Sequence, residues 1–123
     1  TLTAMADRAV AAGVRRESVL IDPGHDFGKN TRQSLLVTAR TEDLVATGWP
    51  VLMALSRKDF VGESLDLLTD ERLEGTLAAT AICAWQGARV FRAHDVTATL
   101  RVLRMVDAIR GTTEPAIDVR GLA

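Results

Sequence analysis

Three charged clusters each follow a short apolar segment of the chain. Residues 22–24 are Asp-Pro-Gly, residues 56–58 are Ser-Arg-Lys, and residues 92–95 are Arg-Ala-His-Asp. Together the clusters would offer a ligand a carboxylate and several cationic groups, provided that the fold brings them to one place. The arrangement of the preceding apolar segments therefore decides whether they form a single site.

The apolar segments alternate with helical segments at a spacing of roughly 35 residues, and a glycine ends each helical segment before the next apolar run. The predicted strands are Val19–Ile21, Val51–Leu55 and Val90–Phe91, and the predicted helices cover residues 1–13, 33–47, 70–86 and 98–110. Thr69 and Asp95 are the expected N-caps of the last two helices. Solidly apolar strands that alternate with helices are typical of a parallel sheet covered on both faces.

The charged clusters all lie at the carboxyl ends of these predicted parallel strands. In parallel α/β folds this edge of the sheet carries the ligand-binding loops. Neighbouring strands lie about 4.8 Å apart. We therefore expect the three clusters to share one opening.

The composition narrows the classes of function. The chain has 123 residues, 47% of them hydrophobic, and a formal net charge of -1, which indicates one domain without a nucleic-acid surface. No apolar run is long enough to suggest a membrane span. The single cysteine, Cys83, lies in an apolar helical run and is expected to be buried and inert, as in a cytoplasmic protein.

Four segments resemble the last three strand-loop-helix units of dihydropteroate synthase, a barrel enzyme of the folate pathway: LIDPGHDFGK, ALSRKDFVGE, ERLEGTLAATAICAWQGA and VFRAHDV. Three units do not close a barrel of eight, and the chain opens on Thr1 inside a helical segment. The predicted fold class is therefore α/β, with three parallel strands and their helices forming the C-terminal βα units of a TIM-type (β/α)8 barrel. Residues 1–123 would be the C-terminal portion of a single pterin-binding barrel domain, with residues from about 111 to 123 as a tail.

The resemblance implies a transferase that joins p-aminobenzoate to a pterin pyrophosphate and releases pyrophosphate. Such a reaction needs cations for the departing polyanion and a carboxylate for the developing pterin cation. By similarity, Asp22 and Lys58 would bind the pterin, and Arg92 and His94 the phosphates, with Lys58, Arg92 and His94 as the catalytic residues. The p-aminobenzoate pocket would be lined by Phe27, Lys58 and Asp59. Mg²⁺ would come through the pyrophosphate, with its ligands upstream of this chain, and a homodimer is the expected assembly.

Each of these residues also has a structural interpretation. Asp22 could simply hold the turn at residues 23–24, Arg57 and Lys58 could be a solvated pair, and Asp95 could only cap a helix. The spacing excludes a phosphate-binding P-loop and a calcium loop for residues 24–30. A metal-dependent phosphohydrolase and a methyltetrahydrofolate-binding methyl-transfer domain remain as more remote alternatives.

Three residues depart from the family pattern that this resemblance implies. After Asp-Pro-Gly the family has an apolar residue and a glycine, whereas this chain has His25 and Asp26. Asp59 stands at a predicted helix start, where the p-aminobenzoate carboxylate would approach. These substitutions resemble a paralogous branch of actinobacterial synthase-like proteins. The alternative to a working synthase is thus a paralogue that binds pterin and phosphate without making dihydropteroate.

Overall fold

The computed structural model describes residues 1–121, and residues 122 and 123 of the predicted tail lie outside the described part. Its helices are α1 (Leu2–Ala11), α2 (Thr31–Ala39), α3 (Thr41–Val45), α4 (Asp59–Leu65), α5 (Leu73–Trp85) and α6 (Val96–Arg110). Its strands are β1 (Leu52–Ala54) and β2 (Val90–Arg92), and short 3-10 turns cover Arg16–Ser18 and Thr69–Glu71. Residues 111–121 contain neither helix nor strand.

The three predicted apolar segments lie side by side and run parallel. Strand β1 pairs with β2, residues 52–54 lying opposite residues 90–92. On its other side Ile21 forms a parallel bridge with Val51, where the Ile21 N–H donates to the carbonyl of Pro50 at 2.9 Å. The predicted order of the strands is therefore confirmed.

The first predicted strand, Val19–Ile21, was too long, because only Ile21 is paired. The 3-10 turn Arg16–Ser18 ends immediately before this segment. Pro23 follows just after it, and proline has no N–H with which to continue a ladder. Between the 3-10 turn and Pro23, only Ile21 is paired with a neighbouring strand.

The predicted helix over residues 33–47 is two helices, α2 and α3, which meet at Arg40 with φ -110° and ψ 28°. Threonine hydroxyls near the break bond to main-chain carbonyls: Thr38 donates to Ser34 O and Thr41 donates to Thr38 O, both at 2.9 Å. Side-chain bonds of this kind compete with the regular helical ladder. Helix α2 also begins earlier in the sequence than predicted, at Thr31, because Asn30 forms a capping box with Gln33.

The predicted N-cap of the long helix, Thr69, was wrong. Thr69 opens a 3-10 turn, and α5 begins at Leu73 after Arg72, whose φ of -100° and ψ of 15° interrupt the helix. The guanidinium of Arg72 lies against Gly62 of α4, where a side chain on that glycine would collide with it. Helix α4 itself was missing from the prediction, which placed only a helix start near Lys58.

The core lies between the strands and the helices that cover them. Its members are apolar and nearly inaccessible to solvent: Ala6, Ile21, Trp49, Val51, Met53, Leu55, Phe60, Val61, Ala79, Cys83 and Ala88. Burial raises the pKa of the Cys83 thiol, so this cysteine is an inert core residue, as predicted. Among residues 1–121, no helix is both long and apolar enough to cross a bilayer. The rigid core fixes the strand ends from which the charged clusters project.

Candidate functional site

The charged clusters meet at the carboxyl ends of the paired strands. Burial lowers the pKa of Lys58, the charges of Asp22 and Asp26 oppose that shift, and Arg92 and Lys29 add to it. Charges that follow the first and the last of the three strands thus act on the ammonium group that follows the middle one. The structure brings together the predicted site residues of the three clusters.

Asp22 and Lys58 make contacts within this site. One carboxylate oxygen of Asp22 accepts the N–H of Gly24 at 2.8 Å, so Asp22 holds the turn that follows it. The Lys58 ammonium donates to the carbonyl of His25 at 2.9 Å and lies 5.0 Å from the centre of the Phe27 ring. Phe27 is 76% exposed, so its side chain is accessible to a ligand.

Asp26 takes a conformation that is unusual for a residue with a side chain. Its φ is 67°, in the left-handed region that favours glycine. The backbone N–H of Asp26 donates to the Ser34 hydroxyl at 3.1 Å, and that hydroxyl donates to the Asp26 carboxylate at 3.3 Å. The other carboxylate oxygen accepts the N–H of Asp59, the first residue of α4, at 2.7 Å. Asp26 therefore joins the loop to the starts of α2 and α4.

His25 anchors the same loop in the core and is fully buried. Its Nε2 lies 2.9 Å from the Thr38 hydroxyl, which itself donates to Ser34 O, so Nε2 is the donor to Thr38. Its Nδ1 is buried without a hydrogen-bond partner, and its ring packs against Phe60 with centroids 5.2 Å apart. Burial, aided by the Lys58 charge, lowers the pKa of His25 to about 4. His25 is therefore a neutral anchor, whose place in the core the sequence analysis missed.

The negative charge of Asp59 has a positively charged partner, Arg72. Its carboxylate lies 3.1 Å from Nη1 of Arg72, while the Asp59 side chain is 79% exposed. The same Arg72 nitrogen donates to the carbonyl of Arg57 at 2.9 Å. Arg72 thus ties the start of α4 to the end of β1, and it partly neutralises Asp59.

The second and third clusters are joined by side chains that continue the strand register. The pairing of β1 with β2 joins residues 38 apart in sequence, and the contacts of Ser56 with His94 and of Arg57 with Asp95 join residues with the same separation. Ser56 Oγ lies 2.7 Å from Nδ1 of His94 and accepts the His94 N–H at 3.2 Å. Arg57 reaches both oxygens of Asp95 at 3.4 Å.

Asp95 occupies the N-cap position of α6, but its side chain does not cap the helix. The predicted capping bond was therefore wrong, because the carboxylate turns to Arg57 instead. Arg57 itself has a left-handed φ of 59°, and its N–H donates to the Thr76 hydroxyl at 3.2 Å. The segment that follows β1 is thus held by contacts with both α5 and the start of α6.

The two predicted phosphate ligands lie at the end of β2. Arg92 is the last residue of that strand and is exposed, and His94 is exposed two residues later. In residues 1–121, His, Cys, Asp and Glu side chains form no group of three or more that could hold a metal ion. The cationic side chains of the described part of the chain can present N–H donors to an oxyanion.

Comparisons with known proteins identify relatives of this chain. The family model for pterin binding enzymes matches residues 1–94. An inactive dihydropteroate synthase 2 of Mycobacterium tuberculosis is 65% identical over 122 residues, which cover 99% of this chain and 38% of that protein. The dihydropteroate synthase of Escherichia coli is 38% identical over 107 residues, which cover 87% of this chain and 38% of that protein. The chain thus spans about two fifths of the length of the curated relatives it matches.

The fold is similar to that of solved dihydropteroate synthases. The Yersinia pestis enzyme with a pterine-sulfa conjugate superposes with a TM-score of 0.85 at 35% identity, covering 89% of this chain and 43% of that chain. This likeness, together with the parallel pairing, confirms the predicted fold class of parallel βα units from a barrel of this type.

Proposed function

The chain belongs to the family of pterin binding enzymes, and on that premise we propose that the protein carrying it binds a pterin pyrophosphate without making dihydropteroate. In this proposal Asp22 and Lys58 bind the pterin ring, and Arg92 and His94 bind the pyrophosphate. The cationic side chains at the strand ends support this half of the site. A guanidinium suits paired phosphate oxygens because its N–H groups form a planar fork.

The observation that carries the loss of activity is the contact between Asp26 and Asp59. The N–H of Asp59 opens α4, and the resemblance assigns this helix start to the carboxylate of p-aminobenzoate. In this chain an internal carboxylate already accepts that N–H at 2.7 Å. A substrate carboxylate would have to displace Asp26 and then remain close to its negative charge.

Lys58 is also engaged within the protein, because its ammonium donates to the carbonyl of His25 at 2.9 Å. The resemblance assigns Lys58 to the pterin and to the p-aminobenzoate pocket. The acceptors of the Lys58 ammonium and of the Asp59 N–H are thus His25 and Asp26, the two residues of the loop that depart from the family pattern. The relative from Mycobacterium tuberculosis that carries the word inactive in its name supports the same proposal.

A working dihydropteroate synthase is the second candidate. It is favoured by the position of the Lys58 ammonium, 5.0 Å from the centre of the exposed Phe27 ring. That pair could enclose the ring of p-aminobenzoate. The relative from Escherichia coli is named for this activity.

Steady-state synthesis from both substrates by the full-length protein separates the two candidates. We expect pterin pyrophosphate to bind and dihydropteroate to form slowly or not at all. Turnover typical of the family would overturn the first candidate in favour of the second, and an absence of any pterin binding would overturn both.

Calorimetry with pterin pyrophosphate tests the phosphate half of the site. Arg92→Ala removes a charge-assisted contact of about 1.5 to 3 kcal/mol, so we expect a loss of affinity of about tenfold to a hundredfold. Lys29→Ala is the matched control, because it removes an equal charge whose ammonium lies 3.3 Å from the carbonyl of Gly24. Equal affinity of the wild type and Arg92→Ala would exclude this phosphate site.

Further features of this proposal come from the resemblance. Mg²⁺ would be brought by the pyrophosphate, with protein ligands outside this chain. The chain would be part of one pterin-binding barrel domain, of which residues from about 111 onward form a tail, in a cytoplasmic homodimer. Size measurement of the full-length protein in solution tests the dimer.

A further inference from the structure

We propose that Ser56 is a positioning residue that fixes the tautomer and the orientation of His94. The inference rests on the proposed role of His94 as a phosphate ligand. It states which ring nitrogen of His94 carries the proton that is donated to a phosphate oxygen.

The hydrogen-bonding capacity of the Ser56 hydroxyl supports this role. The main-chain N–H of His94 donates to Ser56 Oγ at 3.2 Å, so Ser56 acts as an acceptor in that contact. The same oxygen lies 2.7 Å from Nδ1 of His94. When Ser56 donates its proton to Nδ1, its hydroxyl accepts one hydrogen bond from His94 and donates another to the same residue. Nδ1 then carries a lone pair, and the proton of the neutral ring is on Nε2.

The consequence for a ligand follows from the chemistry of imidazole. Nε2 lies on the far side of the ring from Ser56 and is left as a hydrogen-bond donor. Phosphate oxygens are acceptors, so only the protonated nitrogen can bind them.

The backbone around this pair is well suited to hold a fixed orientation. The Arg57–Asp95 contact lies one residue further along both segments, with both carboxylate oxygens 3.4 Å from the same guanidinium nitrogen. The pairing of β1 with β2 precedes it in the same register. Ser56 and His94 are therefore held between a strand ladder and an ion pair, which limits how far the two segments can separate.

The tautomer can be observed directly by ¹⁵N NMR of the full-length protein labelled at histidine, at about pH 8.5, well above the usual titration range of histidine. We expect His94 to show the Nε2-protonated form in the wild type. Ser56→Ala should give a mixture of tautomers, and Ser56→Thr, which keeps the hydroxyl, should restore the wild-type signal. An Nδ1-protonated His94 in the wild type, or an unchanged His94 signal in Ser56→Ala, would overturn the proposal.

Binding of inorganic pyrophosphate provides the second measurement. Loss of one ordinary hydrogen bond that orients the ligand-binding group should weaken affinity by roughly threefold to tenfold in Ser56→Ala, with recovery in Ser56→Thr. Arg92→Ala separates this inference from the proposed function. If Arg92→Ala and Ser56→Ala both leave pyrophosphate affinity unchanged, the phosphate site is wrong; if only Ser56→Ala does so, the positioning role is wrong.

Discussion

Replacing Asp26 by glycine should open the p-aminobenzoate half of the site. The Asp26 carboxylate accepts the Asp59 N–H at 2.7 Å, and it also accepts the Ser34 hydroxyl at 3.3 Å. A hydrogen bond to a charged group contributes about 1.5 to 3 kcal/mol. A ligand carboxylate that takes the Asp59 N–H must first break this bond, which weakens its binding by about tenfold to a hundredfold at 1.4 kcal/mol per decade.

A smaller effect acts in the same direction. A displaced Asp26 carboxylate would remain beside the ligand carboxylate, and repulsion between solvent-facing charges costs about 1 kcal/mol or less. Glycine adopts the observed φ of 67° without the strain that a side chain brings, so the substitution should leave the loop folded. Asp26→Gly should therefore raise p-aminobenzoate affinity by at least about tenfold.

The assay is a calorimetric titration of p-aminobenzoate into the full-length protein in the presence of inorganic pyrophosphate. Asp26→Asn is the matched control, because its amide oxygen can still accept the Asp59 N–H while the charge is gone. We expect affinity to rise from wild type to Asp26→Asn to Asp26→Gly, with pterin pyrophosphate affinity changed by less than about twofold. Unchanged p-aminobenzoate affinity in a correctly folded Asp26→Gly protein would refute the reasoning.

Two further substitutions test the surroundings of this contact. Asp59→Ser removes the carboxylate that lies 3.1 Å from Arg72, but because the Asp59 side chain is 79% exposed the loss of stability should be under about 1 kcal/mol, measured by urea unfolding. When combined with Asp26→Gly it should raise p-aminobenzoate affinity further, and a lower affinity of the double variant than of Asp26→Gly would contradict that role. For His25, the folded-state pKa of about 4 lies below the ordinary 6.5, so its stabilising effect is complete above pH 6.5 and is lost as the pH falls toward 4. His25→Phe cannot titrate at this position. Between pH 6.5 and 4 its free energy of unfolding in urea should therefore fall by up to about 3 kcal/mol less than that of the wild type. Identical pH profiles of the two proteins would contradict this expectation.

The candidate site was predicted in outline from the sequence because its main features depend on local patterns. A solidly apolar run between helical segments indicates a buried parallel strand, and a residue that directly follows such a run must lie at the strand end. Lys58 and Arg92 were placed in this way. The predicted roles of these residues toward a ligand stay predictions, because they depend on contacts with molecules outside the chain.

Helix boundaries near the site could not be read from the same patterns. The break at Arg40 depends on threonine hydroxyls that donate to main-chain carbonyls, and the late start of α5 depends on Arg72 reaching back to α4. Apolar periodicity continues across both positions, so it does not reveal the interruption. The competition between side-chain and main-chain hydrogen bonds becomes visible only in three dimensions.

The sequence by itself determined the βα rhythm, the parallel order of the strands and the edge of the sheet on which the charges lie, because hydrophobic periodicity specifies which faces are buried. Only the tertiary structure decided that Asp26 reaches the start of α4 and that Ser56 meets His94. These partners are 33 and 38 residues apart in sequence. A hydrogen bond of that kind forms only within a few tenths of an ångström of its ideal length, and it is the packing of separate elements on a common core that sets such distances.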